Sequence, residues 1–263
     1  MIRGLYSAAS AMDALTLRQD AIAQNLAHVN MPGFRRHLVT FESVGMLGDL
    51  RGTRATEHTN HASGPLITTG NPLDLALSHN GFFVLNGGPQ GLVYTRNGTF
   101  RVNGQGQIVS HAESPGFNPG DGPSLLPLMG EDGPIIIPAN TVQITVLADG
   151  TVVADEVVVD QVQVRRFTNQ QRNRLTRVGT TLFQTPPGID PLPVDAVPVP
   201  GVLATDPEAI PPRDEVLSGH REGSNVNGVG QLVEMLSSLR QFEASQRALR
   251  ALGESIRLRT QPQ

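Results

Sequence analysis

Residues Leu5–Val29 read LYSAASAMDALTLRQDAIAQNLAHV, and within them Leu5, Ala8, Met12, Leu15, Gln19, Ile22, Leu26 and Val29 recur at alternating steps of three and four. That spacing follows one face of an α-helix, because residues three and four apart stack on the same side. Gln19 is the one polar member of the seam. The pattern predicts a helix over 3–29 that stops at Asn30-Met31-Pro32-Gly33. Pro32 disfavours α geometry at Met31, and Gly33 accepts the positive φ common just after a helix. At ~1.5 Å per residue the helix would be roughly 40 Å long.

A second helical run begins near Val229 and continues almost to the C-terminus. Leu232, Leu236 and Leu239 set its seam, which Phe242, Leu249, Leu252 and Ile256 continue. The three-residue step from Leu239 to Phe242 makes that seam drift round the helix. Helices of this kind do not bury an apolar stripe alone, so the two ends of the chain predict a packed pair completed by neighbouring subunits.

Between them the pattern changes. Residues 37–70, rich in Gly, Thr, His and Arg without a sustained period, read as a linker. From 71 to 185 strand signals dominate, at Leu73–Leu77, Gly81–Leu85, Leu92–Thr95, Thr99–Val102, Gln107–Val109, Val142–Leu147, Thr151–Ala154, Val157–Phe167 and Thr180–Gln184. Asn97-Gly98 predicts a hairpin between the third and fourth of these, with further turns at Asn103-Gly104 and Asp149-Gly150. Residues 115–134 read as an irregular loop. Residues 186–220 read as an extended connector, since nine prolines fall between Pro186 and Pro212 and proline cannot sit inside a sheet. The fold class expected is α+β, mainly β: a β-rich core carried on a discontinuous helical assembly domain, 1–36 and 221–263.

Composition narrows the function. The chain has no Cys, so neither disulfides nor thiolate chemistry are available, and all 20 basic residues are Arg. The net charge of −4 divides into +2 over 1–36, −8 over 37–220 and +2 over 221–263. No basic cluster is dense enough to suggest nucleic acid, and no apolar run approaches the ~20 residues of a spanning helix. Asp13, Arg18, Gln19 and Asp20 interrupt any apolar leader core, so a cleaved signal peptide is not expected.

Candidate chemistry is sparse. His58 and His61 lack a third ligand, and Gly104-Gln105-Gly106 suits a turn better than a phosphate loop. Asp155-Glu156 and Asp214-Glu215 are adjacent acids, which usually form a solvated face, and no Gly-x-Ser-x-Gly elbow occurs. No catalytic residue, metal or cofactor is therefore expected.

The stretch Asn25-Leu26-Ala27-His28-Val29-Asn30-Met31-Pro32-Gly33-Phe34-Arg35-Arg36 resembles the N-terminal signature of the flagellar rod and hook proteins. Asn71-Pro72-Leu73-Asp74-Leu75-Ala76-Leu77 with Gly81-Phe82-Phe83-Val84, and Tyr94-Thr95-Arg96-Asn97-Gly98-Thr99-Phe100, look like the family's core strands. Glu222-Gly223-Ser224-Asn225-Val226-Asn227 and Leu239-Arg240-Gln241-Phe242-Glu243 look like its C-terminal helix. Pro32, the short stretch before Asn71, Arg240, Phe242-Glu243 and Gly133-Pro134 to Pro138 are most similar to the proximal-rod branch, with the distal-rod branch close behind.

The resemblance implies a structural subunit that stacks helically, terminal helices inward as a coiled-coil tube and β domains outward. It implies other rod subunits and adjoining axial proteins as partners, a periplasm-spanning location in the basal body, and passage through the flagellar type III export apparatus. The packing seam expected is Leu5, Met12, Leu15, Ile22, Leu26, Val29, Leu232, Leu236, Leu239, Phe242, Leu249, Leu252 and Ile256. Asn25, Asn30, Gly33, Asn225 and Asn227 are expected to cap or turn helix ends. The rivals are a hook-type axial protein, a secreted β-rich carbohydrate-active enzyme with a cleft of close carboxylates, and a surface adhesion module.

Overall fold

The computed structural model describes residues 2–45, 51–88, 91–111, 125–186, 188, 192–193 and 215–260. In chain order these form α1 (Ile2–Ala27), β1 (His37–Gly45), β2 (Arg51–Thr59), β3 (Leu66–Thr68), β4 (Leu75–Leu77), β5 (Phe82–Asn86) and β6 (Leu92–Thr95). There follow β7 (Phe100–Val102), β8 (Ile108–His111), β9 (Leu125–Pro127), β10 (Ile144–Val146), β11 (Thr151–Ala154), β12 (Val157–Gln161) and β13 (Val164–Arg166). After the short α2 (Asn169–Arg172) come β14 (Thr176–Arg177), β15 (Leu182–Gln184), β16 (Leu192–Pro193), β17 (Val216–Ser218), β18 (His220–Glu222) and finally α3 (Gly228–Thr260). They divide into two compact units: Met1–Val29, Arg35–His61 and Val226–Gln263 form the first, Asn30–Phe34 and Ala62–Asn225 the second.

In the first unit α1 and α3 pack against each other. Asn25 meets Gln231, and Val29 lies beside Gly228, so the pair runs antiparallel. β1 and β2 form a hairpin in unbroken register from His37↔Thr59 to Gly45↔Arg51, and both strands pack on α1. The segment 37–70, expected as a linker, therefore holds two nine-residue strands and β3. Most of β1 is exposed or half-buried, so selection left no alternation of apolar and polar residues to read.

The second unit is built round a six-stranded sheet in the order β14-β15-β6-β5-β13-β16. β5, a run of four apolar residues, is buried on both faces. Phe83 and Leu85 enter one core with Leu75, Phe100, Ile108, Leu128 and Val152; Phe82 and Val84 enter another with Tyr94, Phe167 and Phe183. A strand covered on both sides reads as a continuous apolar run, because alternate side chains meet different layers. Edge-on ring pairs fill both layers, Phe83–Phe100 at 5.3 Å in one and Tyr94–Phe167 at 5.0 Å in the other.

Smaller sheets complete the unit: β7-β8-β9, β10-β11-β12, β17-β4 and β18-β3. Part of the expected 115–134 loop is β9, followed by an isolated bridge, Met129↔Pro134. The expected connector at 186–220 lies mostly outside the described residues. Its described end is instead sheet, with Val216–Ser218 paired to β4 and His220 to β3.

Asn97-Gly98 does not form the predicted hairpin. β6 pairs with β5 and β15, whereas β7 pairs with β8. The Asn97 Oδ1 accepts the Thr99 N–H, and Leu75 N–H donates to the Gly98 carbonyl at 2.8 Å. Glycine is required there by close approach: a Cβ on residue 98 would lie 1.6 Å from the Leu75 carbonyl oxygen. Asn103-Gly104 does lie in the turn of a hairpin, between β7 and β8.

Gly98→Ala is expected to destabilise the protein by about 3 kcal/mol or more, since the clash is with backbone. Gly104→Ala, where a Cβ meets nothing within 4 Å, should stay within about 1 kcal/mol. Urea denaturation of the two variants measures the difference.

Candidate assembly surface

The α1 side of the helix pair is the better buried. Leu15 and Ile22 are buried, as are Ala14 and Ala21, while Met12, Leu26 and Val29 are half-buried. The side chain of Leu5 lies outside the described residues, as do those of Leu252 and Ile256.

On α3 the predicted seam divides between two faces. Leu232, Leu236 and Leu239 are 55%, 59% and 42% exposed, and Val229 and Val233 beside them are 74% and 63% exposed. The covered positions are others: Gln231 and Ser238 are buried, and Gly228, Met235, Phe242, Ser245 and Leu249 are half-buried. These seven recur at steps of three and four. At ~100° per residue the covered face and the Leu232–Leu236–Leu239 stripe point about 100° apart. The leucines thus form a continuous apolar stripe with no partner inside the first unit's helix pair, and Phe242 and Leu249 belong to the inner face. The drift noted in the sequence is the reason: a seam that repeats three-residue steps spirals from one face onto the other.

The inner face is polar near its root. Asn25, 1% exposed, donates through Nδ2 to Gln231 Oε1 and to the His37 carbonyl, both at 2.9 Å, and its Oδ1 accepts the His37 N–H at 2.8 Å. Gln231 Nε2 donates to Glu234, which pairs with Arg36 at 2.8 Å. His37 Nδ1 also meets the Glu57 carboxylate. Asn25, expected as a cap or turn residue, is instead inside α1 and spends its amide on tertiary bonds. Asn227 precedes α3, and its Oδ1 accepts the Gly230 N–H at 3.1 Å. Asn30 is exposed in the turn after α1.

In the second unit the segments flanking the helices are stitched side by side. Gly33, at φ +69°, donates to the Glu222 carbonyl at 2.8 Å, and a Cβ there would lie 2.3 Å from the Asn97 nitrogen. The Glu222 carboxylate accepts the Gly64 N–H at 2.6 Å and faces Arg96 Nε at 3.5 Å, with both side chains 2% exposed. Arg96 also donates to the His79 carbonyl. Asn225 Nδ2 donates to the Ala62 carbonyl at 2.7 Å, and the Arg177 guanidinium stacks 5.2 Å from the Phe34 ring. Sequence reasoning missed Arg96 and Glu222, whose only signal was two charged residues set among apolar and Gly-rich neighbours.

The residues considered for chemistry have structural partners. His58 Nε2 lies 3.2 Å from Thr40 Oγ1, and Asn103 Oδ1 accepts from Gln105 and Gln107 in the turn holding Gly104 and Gly106. The Asp155 carboxylate accepts the Val142 and Gln143 N–H groups, and Asp214 lies outside the described residues. Among the described residues no cluster of three His, Asp or Glu could hold a metal ion, and no helix is long and apolar enough to cross a membrane.

Comparison with known proteins adds the family. Residues 76–154 match the "Flagellar hook protein FlgE/F/G D1 domain", and residues 217–257 the "Flagellar basal body rod FlgEFG protein C-terminal". The chain is 29% identical to the flagellar basal-body rod protein FlgF of Salmonella typhimurium, over 97% of this chain and 96% of that one. It is 29% identical to FlgF of Escherichia coli, with the same coverage. It is 26% identical to the rod protein FlgG of Agrobacterium fabrum, over 96% of each.

Glu222→Gln keeps the shape of the side chain but removes the charge that faces buried Arg96. Losing that charge-assisted contact is expected to cost about 1.5–3 kcal/mol, read as a lower urea midpoint.

Proposed function

The chain belongs to the family of flagellar rod and hook proteins, and from that premise we propose that it polymerises into the basal-body rod through the exposed stripe of α3. It is a structural subunit of the rod, not an enzyme. The observation that carries the reading is Val229, Leu232, Val233, Leu236 and Leu239 left in water along one helix face. Contiguous apolar patches of this kind mark interaction sites, and each large side chain buried in one contributes roughly 1.5–3 kcal/mol before ordering costs. Adjoining rod subunits and axial proteins supply the covering surface. A stripe that meets a different surface on the next copy, in a contact whose rotation does not close, gives an open helical stack. The route to the rod is the flagellar type III export apparatus.

The place in the rod is the proximal one. Its support is the likeness to two FlgF proteins over nearly their whole length, together with the Pro32-Gly33 turn and Phe242-Glu243. Gold-labelled antibody against this protein should mark purified basal bodies at the inner end of the rod; label at the outer end assigns it to the distal rod instead.

Leu232→Glu with Leu236→Glu changes two side chains already half in water, so the isolated protein should keep its circular dichroism and melting temperature. Cells carrying the pair should lose motility, and the variant should be missing from purified basal bodies. Normal swimming would sink the reading.

A further inference from the structure

We propose that Asn80-Gly81 is a site of spontaneous covalent modification: the Asn-Gly pair of this chain that deamidates in the folded protein, forming an isoaspartyl linkage that loosens Arg96 from Glu222. The inference concerns the chain's own chemistry and holds whatever the chain assembles into.

Five Asn-Gly pairs occur, beginning at Asn80, Asn86, Asn97, Asn103 and Asn227. In each, the glycine has no side chain to shield its backbone nitrogen, so the dipeptides are equal as sequence. The reaction begins when that nitrogen attacks the asparagine Cγ. A C–N bond forms and closes a cyclic imide, the Cγ–Nδ2 bond breaks, and the amide leaves as ammonia with the proton from the glycine nitrogen. Water then opens the imide. Opening at the side-chain carbonyl leaves Asp, and opening at the backbone carbonyl leaves isoaspartate.

The structure separates the five. The Oδ1 of Asn86 accepts the Gly88 N–H at 2.9 Å, and that of Asn97 the Thr99 N–H at 3.1 Å. Asn103 Oδ1 accepts the Gln105 and Gln107 N–H groups, both at 2.9 Å, and Asn227 Oδ1 the Gly230 N–H at 3.1 Å. An amide held over the N–H groups ahead of it must release those bonds before Cγ can turn onto the glycine nitrogen. At Asn86 the nucleophile is engaged as well, because the Gly87 N–H donates to the Gly91 carbonyl at 2.8 Å. Asn80 differs. It is exposed in the bend between β4 and β5, and among the described residues neither its amide nor the Gly81 N–H makes a hydrogen bond. Nothing has to break for the imide to close there.

Arg96 gives the modification a consequence. Its guanidinium donates to the His79 carbonyl, just before the pair, and lies 5.6 Å from the centre of the Phe82 ring, just after it. Phe82 is fixed in β5 opposite Arg165, and Ser78 is fixed by two bonds to Glu215, both 3.0 Å. An isoaspartyl linkage runs the main chain through Cβ and Cγ, adding a methylene to the span whose two ends Arg96 holds. Those ends cannot both keep their places. Arg96 yields, and the Glu222 carboxylate, 3.5 Å from its Nε, loses its partner.

Full-length protein is aged at mildly alkaline pH, folded in buffer or unfolded in guanidinium chloride, and digested at intervals for peptide mapping by mass spectrometry. Unfolded, all five Asn-Gly peptides should convert at comparable rates. Folded, Asn80 should keep its unfolded rate, while the others slow by about tenfold or more, as expected of an amide that must first give up a hydrogen bond. An Asn80 that stays amide in the folded chain, or another pair that converts as fast, overturns the proposal. The aged parent should also show a lower urea midpoint than fresh protein. Asn80→Gln, which closes an imide far more slowly, should keep its midpoint through the same ageing. Fresh Asn80→Asp gains the charge without the added methylene and should denature with the fresh parent. An aged, isoaspartate-containing parent that denatures with fresh Asn80→Asp overturns the link to Arg96.

Discussion

A single α-helix packed on one neighbour can bury one face, and α3 has two faces that ask for burial. The inner one carries Gln231, Met235, Ser238 and Phe242; the outer one carries Val229, Leu232, Val233, Leu236 and Leu239. The chain covers the more polar face and leaves the apolar one in water. That allocation is the reverse of what a self-sufficient domain would choose, since apolar burial is the dominant favourable contribution to folding. It is intelligible when the apolar face has a later use, and the family to which the chain belongs supplies one.

Opposite priorities govern the second unit. β5 is covered on both faces, and beside the core round it the approach of Gly98 to the Leu75 backbone tolerates no Cβ. The Gly33 N–H bond to the Glu222 carbonyl joins the segment after α1 to the segment before α3, and the Glu222 carboxylate faces buried Arg96 at the end of β6. A buried ion pair adds little net stability compared with apolar packing, but it is intolerant of displacement. Its value here is positional, because it holds Glu222, and with it the backbone bond to Gly33, against the end of β6.

Much of this was legible in the chain, and the failures have physical causes. The heptad spacing of α1 and the double-sided run Phe82-Phe83-Val84-Leu85 could be read because burial repeats with the period of the element. The β1–β2 hairpin could not, since residues such as Thr40, Glu42, Thr56 and Glu57 are polar on both sides of strands that bury little. Asn97-Gly98 misled because glycine answers two different demands, a left-handed φ and a close approach, and a sequence does not say which. Asn25 misled for a related reason: next to a helix end an asparagine suggests a cap, whereas its partners here are twelve and 206 residues away. The α3 leucines were found by spacing, but their face was not. Deciding it required counting Gln231 and Ser238 as interior residues, against their usual preference for water.

A polar inner seam and an apolar outer stripe together bear on when the helices gain their stability. Asn25 and Gln231 exchange hydrogen bonds with water for hydrogen bonds with each other, which yields only ~0.5–1.5 kcal/mol apiece. Gln19 Nε2 and Ser238 Oγ, buried without partners, work against the pair. The intramolecular contact therefore defines a geometry more than it supplies free energy. Burying the part of Leu232, Leu236 and Leu239 that is still exposed contributes roughly 1 kcal/mol per side chain, without the cost of stripping polar groups of water, and Val229 and Val233 add to it. Stability then arrives with the neighbour, while the arrangement it stabilises is already set within the chain. A subunit built this way gains little by pairing its helices before it reaches its place, and gains most once another subunit lies against the stripe.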